Sequence, residues 1–447
     1  MKRSAWRYLW TSTDIRNKLL ITLGILVLYR FAANIPVPGI NRAVISSIFQ
    51  QQNAVSSLLS VFDLLSGGTL SNFSILAMGV YPYITAQIII QLLVPIIPAL
   101  EKRMRDNPKE GRKLMEKWTV LLTVPMGALS ALGQIQLFNQ LTTGGSILNY
   151  QFGFTGANLL PTLTTVISMI GGTMLGIWLG ELISEYGIPN QGLSLIIFSG
   201  IITQIPMNLY RLVISGENVA ILLILMAIIL ALTIFVIIFI QEGRRNVPVL
   251  FPGRRVGNRM SMPVRSNLPL RVNLAGMIPL IFAQTILSLP AILAQFFINS
   301  KVQWLAKFAS WMQLTFNPTS VWYVVIYFLF VLLLTFFYTE VLFEQQNYGD
   351  SLKKQGAQIP GVVRGAPTQR YLNRVQRRIT LIGGLFLATI ASLPYAAQIL
   401  LPPAIGNGLF LVSSSGLIIV VGTVRDTFNI IETELKLHGY DDTLIKN

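Results

Sequence analysis

Ten stretches of mostly apolar residues, each close to the length that spans a bilayer, recur along this 447-residue chain. Their cores lie near 19–36, 73–98, 118–138, 159–180, 193–214, 219–240, 274–297, 321–343, 379–401 and 409–430. A helix needs about 20 such residues to cross the hydrocarbon core. Composition agrees: 53% of residues are hydrophobic, 12% are charged, and the mean hydropathy is +0.61. Soluble domains charge about a quarter of their residues. These features predict an all-α polytopic membrane protein and exclude an ordinary soluble enzyme. The chain has no cysteine and one histidine, His438. Disulfides, thiolate metal sites, two-histidine metal sites and buried histidine triads are therefore excluded, and no cofactor or metal is implied.

Positive charge is concentrated on one side of this alternation. Of the 34 Lys and Arg residues, 29 fall in the odd set of intervals: 1–18, 99–117, 241–272, 344–378 and the tail from Arg425. The other set holds Arg42, Arg211, Lys301 and Lys307, while Arg30 sits within the first span, near enough to its end to snorkel. Positive charge marks the cytoplasmic side, so both termini are expected in the cytoplasm and the span count is even. No cleavable signal peptide is expected at the N-terminus. Trp6–Trp10 suits a short helix at headgroup level, and Thr13 suits a cap for the first span.

The spans are poor in charge. Glu181, Glu185, Glu340 and Glu344 fall at cytoplasmic ends, and no acid falls mid-membrane. A proton- or sodium-coupled transporter usually needs one, although an uncoupled transporter stays open as an alternative. Gly171, Gly172, Gly176 and Gly180 suit close helix contact. Pro82, Pro125, Pro206, Pro279, Pro290 and Pro394 interrupt the spans.

Two cytoplasmic loops, 241–272 and 344–378, are long and carry seven basic residues each. Mid-loop clusters such as Gly253-Arg254-Arg255 favour docking of a partner. The alternative is that the charges set topology and touch anionic lipid. Two five-span halves, 1–215 and 216–447, would insert inverted, since five is odd; a functional path would then lie between them.

Four motifs are specific: Ile35-Pro-Val-Pro-Gly39; Phe62-Asp-Leu-Leu-Ser-Gly-Gly68 with Leu76-Ala-Met-Gly-Val-Tyr-Pro-Tyr-Ile-Thr-Ala-Gln-Ile-Ile-Ile-Gln-Leu-Leu93; Leu268-Pro-Leu-Arg-Val-Asn-Leu-Ala-Gly-Met-Ile-Pro279; and Leu352-Lys-Lys-Gln-Gly-Ala-Gln-Ile-Pro-Gly361. With these the chain resembles the SecY family, the channel subunit of the general protein translocase. The resemblance implies ten helices in two inverted halves around an hourglass pore, closed by a plug helix. The plug would be about 58–66, with Leu58, Leu59, Val61, Phe62, Leu64 and Leu65 on it and Gly67-Gly68 ending it. The waist would be Ile84, Ile88, Ile197, Ile201, Ile281 and Ile419. An apolar constriction can stay dry when empty. Isoleucine is also common in core packing and on lipid-facing surfaces. The lateral gate would include Asn273, whose other reading is a helix-end residue facing headgroups, and Leu129.

The resemblance implies a protein-conducting channel that passes unfolded secretory chains across the cytoplasmic membrane and releases membrane segments sideways. No catalytic site is implied. Implied partners are SecE-like and SecG-like subunits, a SecA-like motor ATPase, the ribosome with its RNA, substrates bearing signal sequences, and membrane lipid. Arg254, Arg255, Lys353, Lys354 and Arg364 would dock the motor or ribosome. Two departures stand out. Leu129 replaces an expected glutamine, and Pro360-Gly-Val-Val-Arg-Gly365 displaces the family's loop arginine by one position.

Overall fold

The computed structural model describes residues 12–41, 44–45, 69–70, 72–97, 100, 103, 107–141, 147–150, 152–153, 156–214, 219–252, 255–256, 259–260, 264–297, 302–317, 320–400 and 414–437. Twelve helices are described: α1 (Thr13–Ala32), α2 (Tyr81–Ile96), α3 (Pro108–Leu141), α4 (Leu159–Tyr186), α5 (Gly192–Ile214), α6 (Val219–Gln241), α7 (Ile278–Phe297), α8 (Gln303–Thr315), α9 (Val321–Gln346), α10 (Tyr348–Lys354), α11 (Ala366–Leu400) and α12 (Ser414–Leu437). Every expected span coincides with one of them. Among the described residues, four helical stretches, Lys113–Gln136, Leu159–Tyr186, Val321–Lys354 and Ala366–Ala396, are long and apolar enough alone to cross a membrane.

The helix ends refine the sequence reading. α1 begins at Thr13 with Ser12 as its N-cap, so the expected cap is one residue late. The second span was expected from residue 73, but α2 starts at Tyr81. Residues 72–80 form turns instead, with Phe73 and Gly79 at φ of 41° and 53°. Pro82 then sits in the first helical turn, where its missing N–H costs nothing. Pro279 is likewise in the first turn of α7, whereas Pro125, Pro290 and Pro394 lie inside helices. The expected helix at Trp6–Trp10 lies outside the described residues.

Packing divides the chain into two compact units: 1–219 with 285–323 and 419–447, and 220–284 with 324–418. This division by contact does not bear on the expected division by symmetry at 215/216.

In the first unit, the segment after α1, residues 69–70 and the turns at 72–80, the end of α3 and the start of α4 share one core. Val37, Phe73, Met78, Ile135, Phe138, Leu148 and Met169 are buried there, and Phe73 meets Phe138 edge-on with ring centroids 5.2 Å apart. Isolated β-bridges, Pro36 with Ser74 and Ile40 with Leu148, tie the irregular backbone together. Buried backbone groups are thus satisfied outside the helices, as a bilayer-facing fold requires.

Three of the four α4 glycines occupy contacts. A Cβ on Gly172 would lie 1.9 Å from the Ile75 carbonyl oxygen, and one on Gly180 would lie 3.0 Å from Leu193 Cδ2. Gly176 faces Leu76 and Tyr29. Gly171 has open space, so its expected contact role does not hold. From α5, a Cβ on Gly192 would strike the Gly180 carbonyl oxygen at 1.7 Å. α4 and α5 therefore approach backbone to backbone.

The second unit contains the part of the fold not expected from the sequence. The first basic loop is an antiparallel hairpin, β1 (Arg244–Phe251) with β4 (Val264–Arg271), and a smaller pair, β2 (Arg255–Val256) with β3 (Arg259–Met260), lies between them. In β1, Val247 and Val249 are buried while Arg244, Arg245, Asn246 and Pro248 are exposed. The second basic loop is largely α10 and the first turns of α11. At 35 residues and 1.5 Å per residue, α11 is about 52 Å long. It exceeds the hydrocarbon thickness of about 30 Å, so its charged N-terminal turns project beyond the bilayer.

Candidate functional site

The six candidate waist residues are placed by helix starts and close helix contacts. Ile84 and Ile88 follow the Gly79 turn and lie one helical turn apart on α2. Ile197 and Ile201 hold the same spacing on α5, whose start is fixed by the Gly192–Gly180 approach. Ile281 is in the first turn of α7, and Ile419 is in the second turn of α12. None of the six is more than 9% exposed, whereas Ile167, Ile224, Ile228 and Ile382 are all at least 60% exposed. Burial removes the lipid-facing alternative for these six.

Asn273 is buried, which removes its headgroup-facing alternative. Its side-chain Oδ1 accepts from the Gly276 N–H at 2.9 Å, and its Nδ2 donates to the Gly276 carbonyl at 3.2 Å. The amide thus closes the turn leading into α7, with Gly276 at a φ of 67°. Leu129 lies on α3 and is 64% exposed. The expected plug residues Leu58, Leu59, Val61, Phe62, Leu64 and Leu65 lie outside the described residues.

The candidate docking residues sit on a folded body. Val247, Val249, Leu270, Phe343, Leu352, Ala357, Ile359, Leu372 and Ile379 bury together, joining β1, β4, the end of α9, α10 and α11. The edge of β1 is bridged by the second loop: the Leu250 N–H donates to Gln358 O at 2.8 Å, and the Gln358 N–H donates to Leu250 O at 2.9 Å. The Gly349 N–H donates to Gln369 Oε1 at 2.7 Å, which ties α10 to α11.

On this base Arg244, Arg245, Arg265, Arg271, Lys353, Lys354, Arg364, Arg370, Arg374 and Arg378 are exposed. Arg370, Arg374 and Arg378 repeat every four residues on α11, opposite buried Leu372, Gln376 and Ile379. A Cβ on Gly365 would lie 3.8 Å from Lys353 Cδ, so Lys353 adjoins the turn that carries Arg364. Arg244 pairs with Glu242 at 3.1 Å, and Arg377 pairs with Glu340. Arg255 is on β2 and Arg254 lies outside the described residues. The period-two pattern Val247, Val249 and Leu268, Leu270 was the available signal for the hairpin. The chemistry on offer is a cationic surface on a folded base that fits phosphate or carboxylate groups.

Fold and site together define an all-α, multi-pass membrane protein with an ordered basic platform outside the bilayer. A profile of the SecY family matches residues 74–428. The protein translocase subunit SecY of Chlamydia trachomatis is 36% identical, with 99% of this chain and 98% of that protein covered. That of Haemophilus influenzae is 34% identical, covering 97% and 94%. Among solved structures, a protein conducting channel aligns with a TM-score of 0.62 at 17% identity over 98% of this chain and 99% of that one. Sec61 in the canine ribosome-channel complex from the endoplasmic reticulum aligns with a TM-score of 0.59 at 17% identity, covering 98% and 99%. The chain belongs to the SecY family of protein translocase subunits, which are protein-conducting channels.

Proposed function

We propose that this translocation channel carries unfolded secretory chains across the cytoplasmic membrane, with both termini cytoplasmic. Its path runs between inverted halves 1–215 and 216–447. Ile84, Ile88, Ile197, Ile201, Ile281 and Ile419 form a waist that stays dry when empty and yields to a threaded chain. A plug near residues 58–66 closes it at rest. Asn273 and Leu129 belong to a side opening through which membrane segments reach lipid. With its amide held by Gly276, Asn273 would act by positioning the start of α7, and the gate would close mainly by packing.

The chain itself does no catalysis. Energy comes from a motor ATPase or a translating ribosome on the basic platform, through Arg254, Arg255, Lys353, Lys354 and Arg364. The platform's order supports this role, since topology alone needs charge but no fixed shape. A ribosomal RNA contact would weaken steeply with salt. SecE-like and SecG-like subunits would complete the complex.

The observation that carries the waist is that all six isoleucines matched through the family resemblance are buried, none more than 9% exposed. The absence of native cysteine makes the test direct. A single cysteine at Ile88 should crosslink to a stalled secretory chain, and one at exposed Ile228 should not. Equal crosslinking at both positions would remove the waist.

A further inference from the structure

We infer that α8 is a membrane-surface anchor whose aromatic flank is immersed at the boundary between headgroups and acyl chains. Trp304, Phe308 and Trp311 recur at helical spacing and are all exposed, Trp304 by 70% and Trp311 by 58%. The aromatic rings form a ladder. Trp304 stacks on Phe308 and Phe308 on Trp311, each with centroids 6.1 Å apart. The far side of the helix faces protein, with Ala309 buried and Leu305 and Met312 half-buried. Gln303 and Ser310 are exposed on a third, polar flank. Three environments are thus sorted around one 13-residue helix.

Chain connectivity identifies the occupant of the aromatic flank. Five residues separate Phe297, the end of α7, from Gln303, and five separate Thr315 from Val321, the start of α9. At 3.3–3.6 Å per residue, neither tether reaches beyond about 20 Å. Both neighbours are apolar helices of a membrane protein, with their facing ends on the same side. α8 is therefore held at that membrane surface at both ends. Tryptophan and phenylalanine on one flank, with Lys307 beside them able to extend its ammonium towards headgroups, match the composition of interfacial helices. Left in water, this aromatic surface would be a costly exposed patch.

The test uses the full cysteine-free chain in phosphatidylcholine liposomes. Single variants Phe308→Cys, Trp311→Cys and Ser310→Cys would carry an environment-sensitive fluorophore. Nitroxide-bearing lipids should quench the label at 308 and 311 at least about threefold more than at 310, with the reverse order for aqueous iodide. Equal iodide access at all three positions would overturn the anchor. So would protection of 308 and 311 from both quenchers, which would mean that protein covers the flank. Trp304→Cys provides an independent lipid-side position should either aromatic replacement disturb folding, and its quenching must agree with the pattern.

Discussion

Two regions of this protein make ordered bodies from chain that is not membrane-spanning helix, and they use the same device for different ends. In the first unit, residues 35–41, 69–70, 72–80 and 147–150 are tied by single β-bridges and sealed over an apolar core. In the second, the β1–β4 hairpin and residues 347–365 are tied by the Leu250–Gln358 bridge over another apolar core. The first body presents little charge and ends in a backbone-to-backbone contact at Gly172. The second carries exposed arginines and lysines on β1, β4, α10 and α11. One body closes and the other presents. The difference lies in what covers the core, since the means of ordering the backbone is shared.

Substitutions can break this comparison, in descending order of their effect on stability. Gly172→Val should be the most damaging, because its Cβ would enter the space of the Ile75 carbonyl. Backbone cannot move aside as a flexible side chain can, so a loss above about 3 kcal/mol is expected. Thermal unfolding of purified protein would read it. Gly171→Ala, one residue away with nothing near its Cβ, should instead stabilise by about 0.5–1 kcal/mol. If both variants behave alike, the close contact at Gly172 is wrong.

Leu372→Ala should cost about 2–5 kcal/mol, because Leu372 is fully buried at the base of the basic body. The damage should be local, read as faster proteolysis within 347–365 while the first unit stays resistant. A smaller effect is expected at the Lys18–Glu434 pair, where Nζ lies 2.8 Å from the carboxylate and Asp14 lies 3.5 Å away. The hydrogen bond that Lys18 donates to the Glu434 carboxylate raises the Lys18 pKa above its ordinary value, against a smaller opposing effect of burial. The pair's contribution is therefore complete below about pH 10 and lost as pH rises through the raised value. Solvent screening keeps it below about 1 kcal/mol. Lys18→Met should flatten the stability profile in that alkaline window.

The double reversal Arg364→Glu and Arg370→Glu should leave stability within about 0.5 kcal/mol, because both side chains are exposed. It should weaken binding of ribosomes or of the motor to membranes carrying the channel, and flatten the salt dependence of ribosome binding. Unchanged binding with an unchanged salt slope would separate the platform's order from any docking role.

Much of the architecture was legible in the sequence, for a physical reason. A bilayer demands long apolar helices and sorts positive charge to one side, and both demands are written in local composition. All ten expected spans coincide with helices for that reason. The starts of α2, α3 and α11 were not legible to the residue. Hydropathy cannot tell the turns at 72–80 from helix, or see a helix continuing into water as α11 does from Ala366. The hairpin had a readable period-two signal at Val247, Val249, Leu268 and Leu270, hidden beneath the arginines that make the segment look like a loop. α8 had one too, in the spacing of Trp304, Phe308 and Trp311.

By itself, the sequence determined the class of the protein, the positions of its apolar helices and the intervals in which positive charge accumulates. Each depends on the solvent a residue must meet. Only the tertiary structure decided that Gly172 is packed against the Ile75 carbonyl while Gly171 has open space, that the six candidate isoleucines are buried while Ile228 is not, and that two basic loops share one apolar core. Those outcomes depend on which distant segment fills the space beside a residue, and local composition does not record that.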